Sequence, residues 1–227
     1  MILITGASRG IGKYLLTHYH QAGFPVSGTW HSTPPEDDLA GHYHQVDITD
    51  PLSIDHWLDA LGDRLSQLVL INCAGSNYNA FAHKANLKTW EKVLATNLTG
   101  TFTLIRALLP SMREQGYGRI INFSSIVAQS GVPGTSAYAA SKAGLWGMTK
   151  SIAAENASRG ITINNLNLGY FDIGMITEVP EALREVIRSR IPYGNFGDPV
   201  NILNAVEFLI QSNYINGSSI DINGALH

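Results

Sequence analysis

Ile2-Leu3-Ile4-Thr5-Gly6-Ala7-Ser8-Arg9-Gly10-Ile11-Gly12 contains, in order, an apolar run, a glycine-rich turn and the start of an amphipathic stretch. The run Ile2 to Ile4 reads as a buried strand, and Ile11 to Gln21 carries apolar residues at helical spacing. Gly6, Gly10 and Gly12 permit a tight turn and let main-chain N–H groups approach a phosphate, while the following helix points the positive end of its dipole at the same anion. Strand, cradle and helix together predict a site for a diphosphate. The spacing differs from GxGxxG, and it is not a Walker A loop, because Lys13 is followed by Tyr14 and position 7 is alanine. Kinase or ATPase chemistry is therefore disfavoured.

Outward from this stretch the chain alternates strand and helix, which predicts a parallel sheet covered on both faces. Strands are expected near residues 2–5, 25–30, 43–46, 67–72, 118–124, 161–166 and 218–222, with helices in the intervals. The fold class is α/β, a Rossmann-type doubly wound sheet of about seven strands, expected as one domain over residues 1–227. Ser32 to Ala40, with Pro34-Pro35, reads as a surface loop. In such sheets ligands sit beyond the carboxyl ends of the strands, where Gly6, Ala74, Ser125 and Gly169 are all expected to fall.

A second constellation lies mid-chain. Tyr138 and Lys142 are one turn apart on the helix expected from Ala137 to Glu155, so both project from one face. A phenol with an ordinary pKa of about 10 donates a proton poorly unless a nearby ammonium favours its ionised form, and Lys142 is placed to supply that ammonium. Ser125 closes the strand Arg119 to Phe123, and its hydroxyl is positioned to hold a carbonyl beside the tyrosine.

In this order the motifs resemble the short-chain dehydrogenase/reductase family over essentially the whole chain: Thr5-Gly6-x-x-x-Gly10-x-Gly12, Asp47-Ile48, Asn72-Cys73-Ala74-Gly75, Asn97, Ser125, Tyr138-x-x-x-Lys142 and Leu168-Gly169. The resemblance implies that Tyr138 is the acid or base, that Lys142 lowers its pKa and binds the nicotinamide ribose, and that Ser125 positions the carbonyl. It implies that Asn97 holds a water relaying protons to Lys142, that Asp47 and Ile48 flank the adenine, and that Asn72, Ala74 and Gly75 line the cofactor. Ser8, Arg9, Ile11 and Gly169 join the glycines in the cofactor set.

Cofactor choice is read from the end of the second strand, Val26 to Ser32. An NAD site usually has a carboxylate there for the ribose 2′-hydroxyl, whereas this chain has Trp30, then His31 and Ser32. Arg9 is expected to point its guanidinium at the same region, so NADPH is expected over NADH. The competing reading is Asp37 or Asp38 reaching back to an NAD ribose. The span from His31 to Asp47 is short for the family, so the second crossover helix is expected to be vestigial. Two further departures are Leu168-Gly169 in place of Pro-Gly, and Ile173 where the family commonly has the threonine that holds the nicotinamide carboxamide. Residues Gly174 to Pro192 are expected to form a substrate lid, with Met175, Ile176 and Val179 suited to an acyl portion.

The wording Gly118 to Ser125 and Ser158 to Thr162 resembles the 3-oxoacyl-acyl-carrier-protein reductases, which implies reduction of a 3-oxoacyl thioester on acyl carrier protein or CoA, in fatty acid or polyketide synthesis. Arg113, Arg119 and Arg159 are candidate contacts for an acidic carrier. A sugar, polyol or steroid alcohol dehydrogenase of the same family remains an alternative, as does a non-catalytic NADP(H)-binding sensor. Enoyl reduction is disfavoured by the Tyr-x-x-x-Lys spacing, with leucine at position 145.

A formal charge of −3 with 15% charged residues gives no basic field for nucleic acid. The first strand begins at Ile2 and no apolar run approaches the roughly 20 residues of a membrane helix, so no leader and no span are expected, and the protein is expected in the cytoplasm. Cys73, the only cysteine, is read as a packing residue. His18/His20 and His42/His44 have His-x-His spacing but no further ligands nearby in sequence, so no metal is expected. The helices bearing Phe102, Leu104, Ile105, Leu108 and Leu109, and Leu145, Trp146 and Met148, carry more apolar surface than one sheet contact needs. A homodimer or homotetramer with two-fold contacts through them is expected.

Overall fold

The computed structural model describes residues 1–36 and 39–226. Seven strands form one sheet: β1 Ile2–Thr5, β2 Val26–Trp30, β3 Tyr43–Gln45, β4 Val69–Asn72, β5 Gly118–Ser125, β6 Ile161–Leu168 and β7 Ser219–Ile222. Every pairing is parallel, in the order β3-β2-β1-β4-β5-β6-β7. The order reverses between β1 and β4, which opens a crevice beyond their carboxyl ends. The expected doubly wound α/β fold is observed, and each strand falls within about two residues of its predicted range.

The helices are α1 Gly10–Gln21, α2 Pro51–Leu61, α3 Leu87–Leu94, α4 Thr101–Gln115, α5 Val127–Ser130, α6 Ser136–Asn156, α7 Glu181–Arg190 and α8 Pro199–Gln211. Local chemistry sets several starts. Asp50 and Asp198 each accept a hydrogen bond from the amide two residues on and are followed by Pro51 and Pro199 at the first helical position. Asn86 caps α3 by accepting from the Thr89 amide. Between β2 and β3 the described residues hold only a 3₁₀ turn, Ala40–His42, so the expected vestigial crossover is what the chain has.

Period-two alternation divides the core. Ile2, Ile4, Val69, Ile71, Ile121, Phe123, Leu166 and Leu168 face α1 and α8, where Leu15, Leu16, Tyr19, Ile202 and Val206 meet them. Leu3, Leu70, Ile120, Ile161 and Ile163 face the other way, onto Ile54, Trp57, Leu104, Ile105, Leu108, Met112 and Ile152 of α2, α4 and α6. Much of the excess apolar surface expected at a second copy is thereby buried inside the chain. Leu104, Ile105 and Leu108 are inaccessible because α4 packs against both the sheet and α2, and Leu145 of α6 is buried too, whereas Phe102 stays exposed.

The face beneath α6 is not wholly apolar. Asn72, Asn122, Asn165 and Ser219 occupy paired positions on β4, β5, β6 and β7. Asn72 Nδ2 donates to Asn122 Oδ1 (2.8 Å), Asn122 Nδ2 to Asn165 Oδ1 (3.3 Å), and Asn165 Nδ2 to Ser219 Oγ (2.9 Å). Thr149 of α6 is the branch point: its hydroxyl accepts from Asn122 Nδ2 (3.1 Å) and donates to Asn165 Oδ1 (2.8 Å). A second row lies one pleat further along, where Trp146 Nε1 donates to Ser124 Oγ (2.9 Å) and Asn167 Oδ1 (3.0 Å). These amides are buried and mutually satisfied, so removing one strands several. Asn122→Ala should lower stability by about 1–3 kcal/mol, a Tm fall of about 2–10 °C. Thermal denaturation beside Thr103→Ala, whose hydroxyl is exposed, checks this, and equal Tm values for the two variants would contradict the seam's role.

Candidate active site

The glycine turn joins β1 to α1 under tight steric limits. A Cβ on Gly12 would lie 2.3 Å from the Gly6 carbonyl oxygen, and one on Gly6, whose φ is +63°, would lie 2.8 Å from Ala74 Cα. The turn is stitched to β2 by Ala7 N–H donating to Thr29 O (2.7 Å) and to the end of β4 by Ala74 N–H donating to Thr5 Oγ1 (3.0 Å). The first turn of α1 carries no acid, and the Arg9 side chain at its N-cap makes no capping bond. The amides there are left facing the crevice with the helix dipole behind them.

Ser125 ends β5, its Oγ accepting from Val127 N–H (3.2 Å) as the chain enters α5. Tyr138 and Lys142 lie in the first turns of α6 on one face, as the spacing predicts. Lys142 is held at both ends by β5: Nζ donates to Phe123 O (2.6 Å), and its carbonyl accepts from Ser124 Oγ (3.0 Å). The ammonium stands 5.7 Å from the centroid of the Tyr138 ring.

Asn97 arrives by a route that helical periodicity does not show. Between α3 and α4 the chain forms a π-helical segment, Ala95–Gly100, with Asn97 in it. The amide of Asn97 is committed: Oδ1 accepts from Ser76 N–H (2.8 Å), and Nδ2 donates to Ser76 O (2.9 Å) and Ser141 Oγ (3.0 Å). Both side-chain donor hydrogens are thus used within the chain.

Burial dominates the electrostatics. It pushes the Tyr138 phenol up, the hydrogen bond with Ser125 pulls it down, and the neighbouring Tyr170 pushes it up again. Burial pulls Lys142 down to about 8, opposed only by Cys73. Burial and Tyr170 outweigh the Ser125 hydrogen bond, so the phenol is raised and not depressed as the sequence predicts, while the Lys142 ammonium gives its hydrogen bond to the Phe123 carbonyl.

The remaining expected residues divide into those that line the crevice and those that support it. Gly75 lies against the centre: a Cβ there would sit 3.4 Å from Asn97 Oδ1 and 3.7 Å from Lys142 Nζ. Asn72, by contrast, is buried beneath the site in the amide seam. Ile48 packs in the core. Asp47 accepts from the Thr49 amide and hydroxyl and lies 3.5 Å from His31 Nε2. Burial raises its carboxyl, but the Thr49 hydrogen bonds, His31 and Lys92 together bring it below the ordinary value. Gly169 N–H donates to Ile222 O (2.9 Å). Ile173 packs on the apolar core and its N–H is spent on Phe171 O (2.7 Å), so neither its side chain nor its own amide replaces the missing threonine. Ser32 is exposed beyond β2. Asp37 and Asp38 lie outside the described residues. Arg9 does not point its guanidinium freely at the end of β2; Nη1 donates to Glu178 Oε1 (3.0 Å).

One more expectation is changed. Arg119 cannot meet a carrier, since it is buried and donates to the carbonyls of Ile210, Gly118 and Gly160. His20 and His42 contact each other at 4.4 Å between ring centroids, a pairing across the fold rather than along the sequence. Tyr170, which follows Gly169 and influences Tyr138, was not singled out. An aromatic directly after the turn glycine, two residues past the strand position paired with Ser125, was the available signal.

The fit of these residues to a nicotinamide dinucleotide rests on three observations. Uncapped amides face the crevice at the start of α1. The space above Gly75, which a Cβ would fill, is bordered by Lys142 and Asn97. Ser76 Oγ, beside it, is buried without a hydrogen-bond partner. Such a crevice, with a Ser, a Tyr and a Lys at its floor, defines a dinucleotide-dependent class of enzyme.

Residues 1–184 match the short chain dehydrogenase family, and the chain belongs to that family. It is 37% identical over 234 residues to an acetoacetyl-CoA reductase of Rhizobium meliloti (strain 1021), with 98% of this chain and 96% of the relative covered. It is 36% identical to the 3-oxoacyl-(acyl-carrier-protein) reductase FabG of Vibrio cholerae serotype O1, and 33% to that of Escherichia coli (strain K12), each over 99% of this chain and 96% of the relative.

The burial of Lys142 has a measurable consequence. Between pH 8 and 10.5 the unfolded chain holds one proton more at this lysine than the folded chain, so this group makes folding more favourable as pH rises through that window. Chemical denaturation of the cofactor-free protein from pH 8 to 10 should show stability rising more steeply, by up to about 1.4 kcal/mol per pH unit, than in Lys142→Met. Parallel profiles would mean that Lys142 titrates normally.

Proposed function

We propose that the protein is an NADPH-dependent reductase that converts the ketone of a 3-oxoacyl thioester, carried on CoA or acyl carrier protein, to a secondary alcohol. The observations that support this reading are the hydrogen bond between Ser125 and Tyr138, the Lys142 ammonium 5.7 Å from the Tyr138 ring centroid, and that ammonium's position beside the space above Gly75. The names of the relatives, acetoacetyl-CoA reductase and 3-oxoacyl-(acyl-carrier-protein) reductase, support the substrate class.

Bound NADPH supplies the hydride. Gly6, Ser8, Gly10, Ile11 and Gly12 hold its diphosphate through main-chain amides and the α1 dipole. Asp47 and the backbone at Ile48 border the adenine, while Ala74, Gly75 and Gly169 line the crevice wall. The Ser125 hydroxyl donates to the substrate carbonyl and holds it against the phenol. Tyr138 then donates its proton to the oxygen as negative charge develops there. The raised pKa of the phenol suits this direction: it stays protonated at neutral pH, and an alkoxide is a far stronger base than a phenolate. Lys142, released from the Phe123 carbonyl, binds the ribose hydroxyls. Asn97 fixes Ser76 and Ser141 around that lysine, so that a relay water falls to its remaining acceptor capacity and adjacent main chain. Residues 174–192 close over the acyl portion, with Met175 exposed and Ile176 anchoring the segment to the core. Two-fold association through the outer faces of α4 and α6, where Phe102 is exposed, belongs to the same reading.

Purified protein should consume NADPH in the presence of acetoacetyl-CoA, followed by its absorbance. Tyr138→Phe should lower kcat by about 10²–10⁴-fold while calorimetry shows the cofactor still bound. Turnover retained in that variant would refute the assigned acid, and tight NADPH binding with no turnover of any ketone would refute the reductase reading.

A further inference from the structure

Arg9 has two neighbours that compete for it. Its turn is stitched to the end of β2 through Ala7 N–H and Thr29 O, one residue before Trp30. On the other side the turn touches the segment after β6: a Cβ built on Gly10 would come within 3.0 Å of Gly174 Cα. The 3₁₀ turn Gly174–Glu178 then brings Glu178 to the glycine turn, where its carboxylate accepts from Arg9 Nη1 at 3.0 Å. The guanidinium nearest the β2 end is thus occupied by an acid from the proposed lid. His31, the other cationic candidate there, faces Asp47 at 3.5 Å. Asp47 is fixed by its Thr49 hydrogen bonds, whereas no other hydrogen bond of the Glu178 side chain is found among the described residues.

We propose that Glu178 is a cofactor-specificity residue, an internal stand-in for the 2′-phosphate of NADPH that occupies Arg9 until that phosphate displaces it. The inference rests on the NADPH reading above. With side chains 64% and 66% exposed, the pair is weak and readily exchanged. A phosphate presents more charge and a fork of oxygens that the planar guanidinium binds in two places, so it wins the exchange. Displacement frees the base of the 174–178 turn from the glycine loop, and a cofactor without the 2′-phosphate leaves the contact closed. Binding of the phosphorylated cofactor and release of the lid are therefore linked, and by reciprocity loss of the carboxylate favours that cofactor selectively.

The test is calorimetric binding of NADP⁺ and NAD⁺ to the full chain as wild type, Glu178→Gln, Arg9→Ala and the double variant. Glu178→Gln should raise the ratio of the NAD⁺ Kd to the NADP⁺ Kd by about two- to five-fold, with Glu178→Ala giving the same direction. Arg9→Ala should lower the ratio, and adding Glu178→Gln to it should then change nothing. A ratio unmoved by Glu178→Gln, in a protein whose NADP⁺ preference does depend on Arg9, overturns the stand-in and leaves the cofactor reading intact. A wild type that prefers NAD⁺, with a ratio indifferent to Arg9→Ala, overturns both.

Discussion

The attachment of α6 to β5 and β6 is the constraint on which the rest depends. Tyr138 and Lys142 are useful only if their helix is fixed in rotation and height above the sheet, and apolar packing alone fixes neither sharply. Here the helix is tied at three successive levels, through Lys142 to Phe123 and Ser124, through Trp146 to Ser124 and Asn167, and through Thr149 to Asn122 and Asn165. Hydrogen bonds are directional, and those in a dry interior are costly to leave unmade, so a slip of either element by one residue would break several at once. The amides spend some of the core's hydrophobic stabilisation on positional accuracy.

The same burial that fixes the pair shapes its chemistry. Desolvation acts oppositely on a phenol and an ammonium, raising one and lowering the other, and so drives both toward their neutral forms. A neutral phenol is the form a proton donor requires. The lysine's ammonium, meanwhile, rests on the Phe123 carbonyl.

β1 and β4 were legible because each is an apolar run before a turn signal, and Tyr138 with Lys142 because a spacing of four fixes one helix face wherever the helix lies. The seam of Asn72, Asn122 and Asn165 was not, since asparagine is uncommon in strands and its meaning comes from register with residues far along the chain. Arg9 is visible in the glycine loop, but its partner is more than 160 residues away, on a turn whose path no local pattern specifies. Nor does periodicity reveal that Arg119 is spent on three carbonyls, because a buried and an exposed arginine look alike in sequence.

The π-helical segment at Ala95–Gly100 has a bearing on how such a site tolerates change. One residue of surplus in a turn rotates all that follows by about 100°. Within it the chain aims Asn97 at Ser76 and Ser141; downstream the helix aims Leu104, Leu108 and Met112 into the core. A rod of uniform pitch could satisfy one of these directions and not the other. Deletions or insertions within those six positions would therefore set the aim of Asn97 against that of the core residues, and exchange is restricted too, at Asn97 by its bonds to Ser76 and Ser141 and at Gly100, where a Cβ would lie 2.9 Å from Ile48 Cγ1.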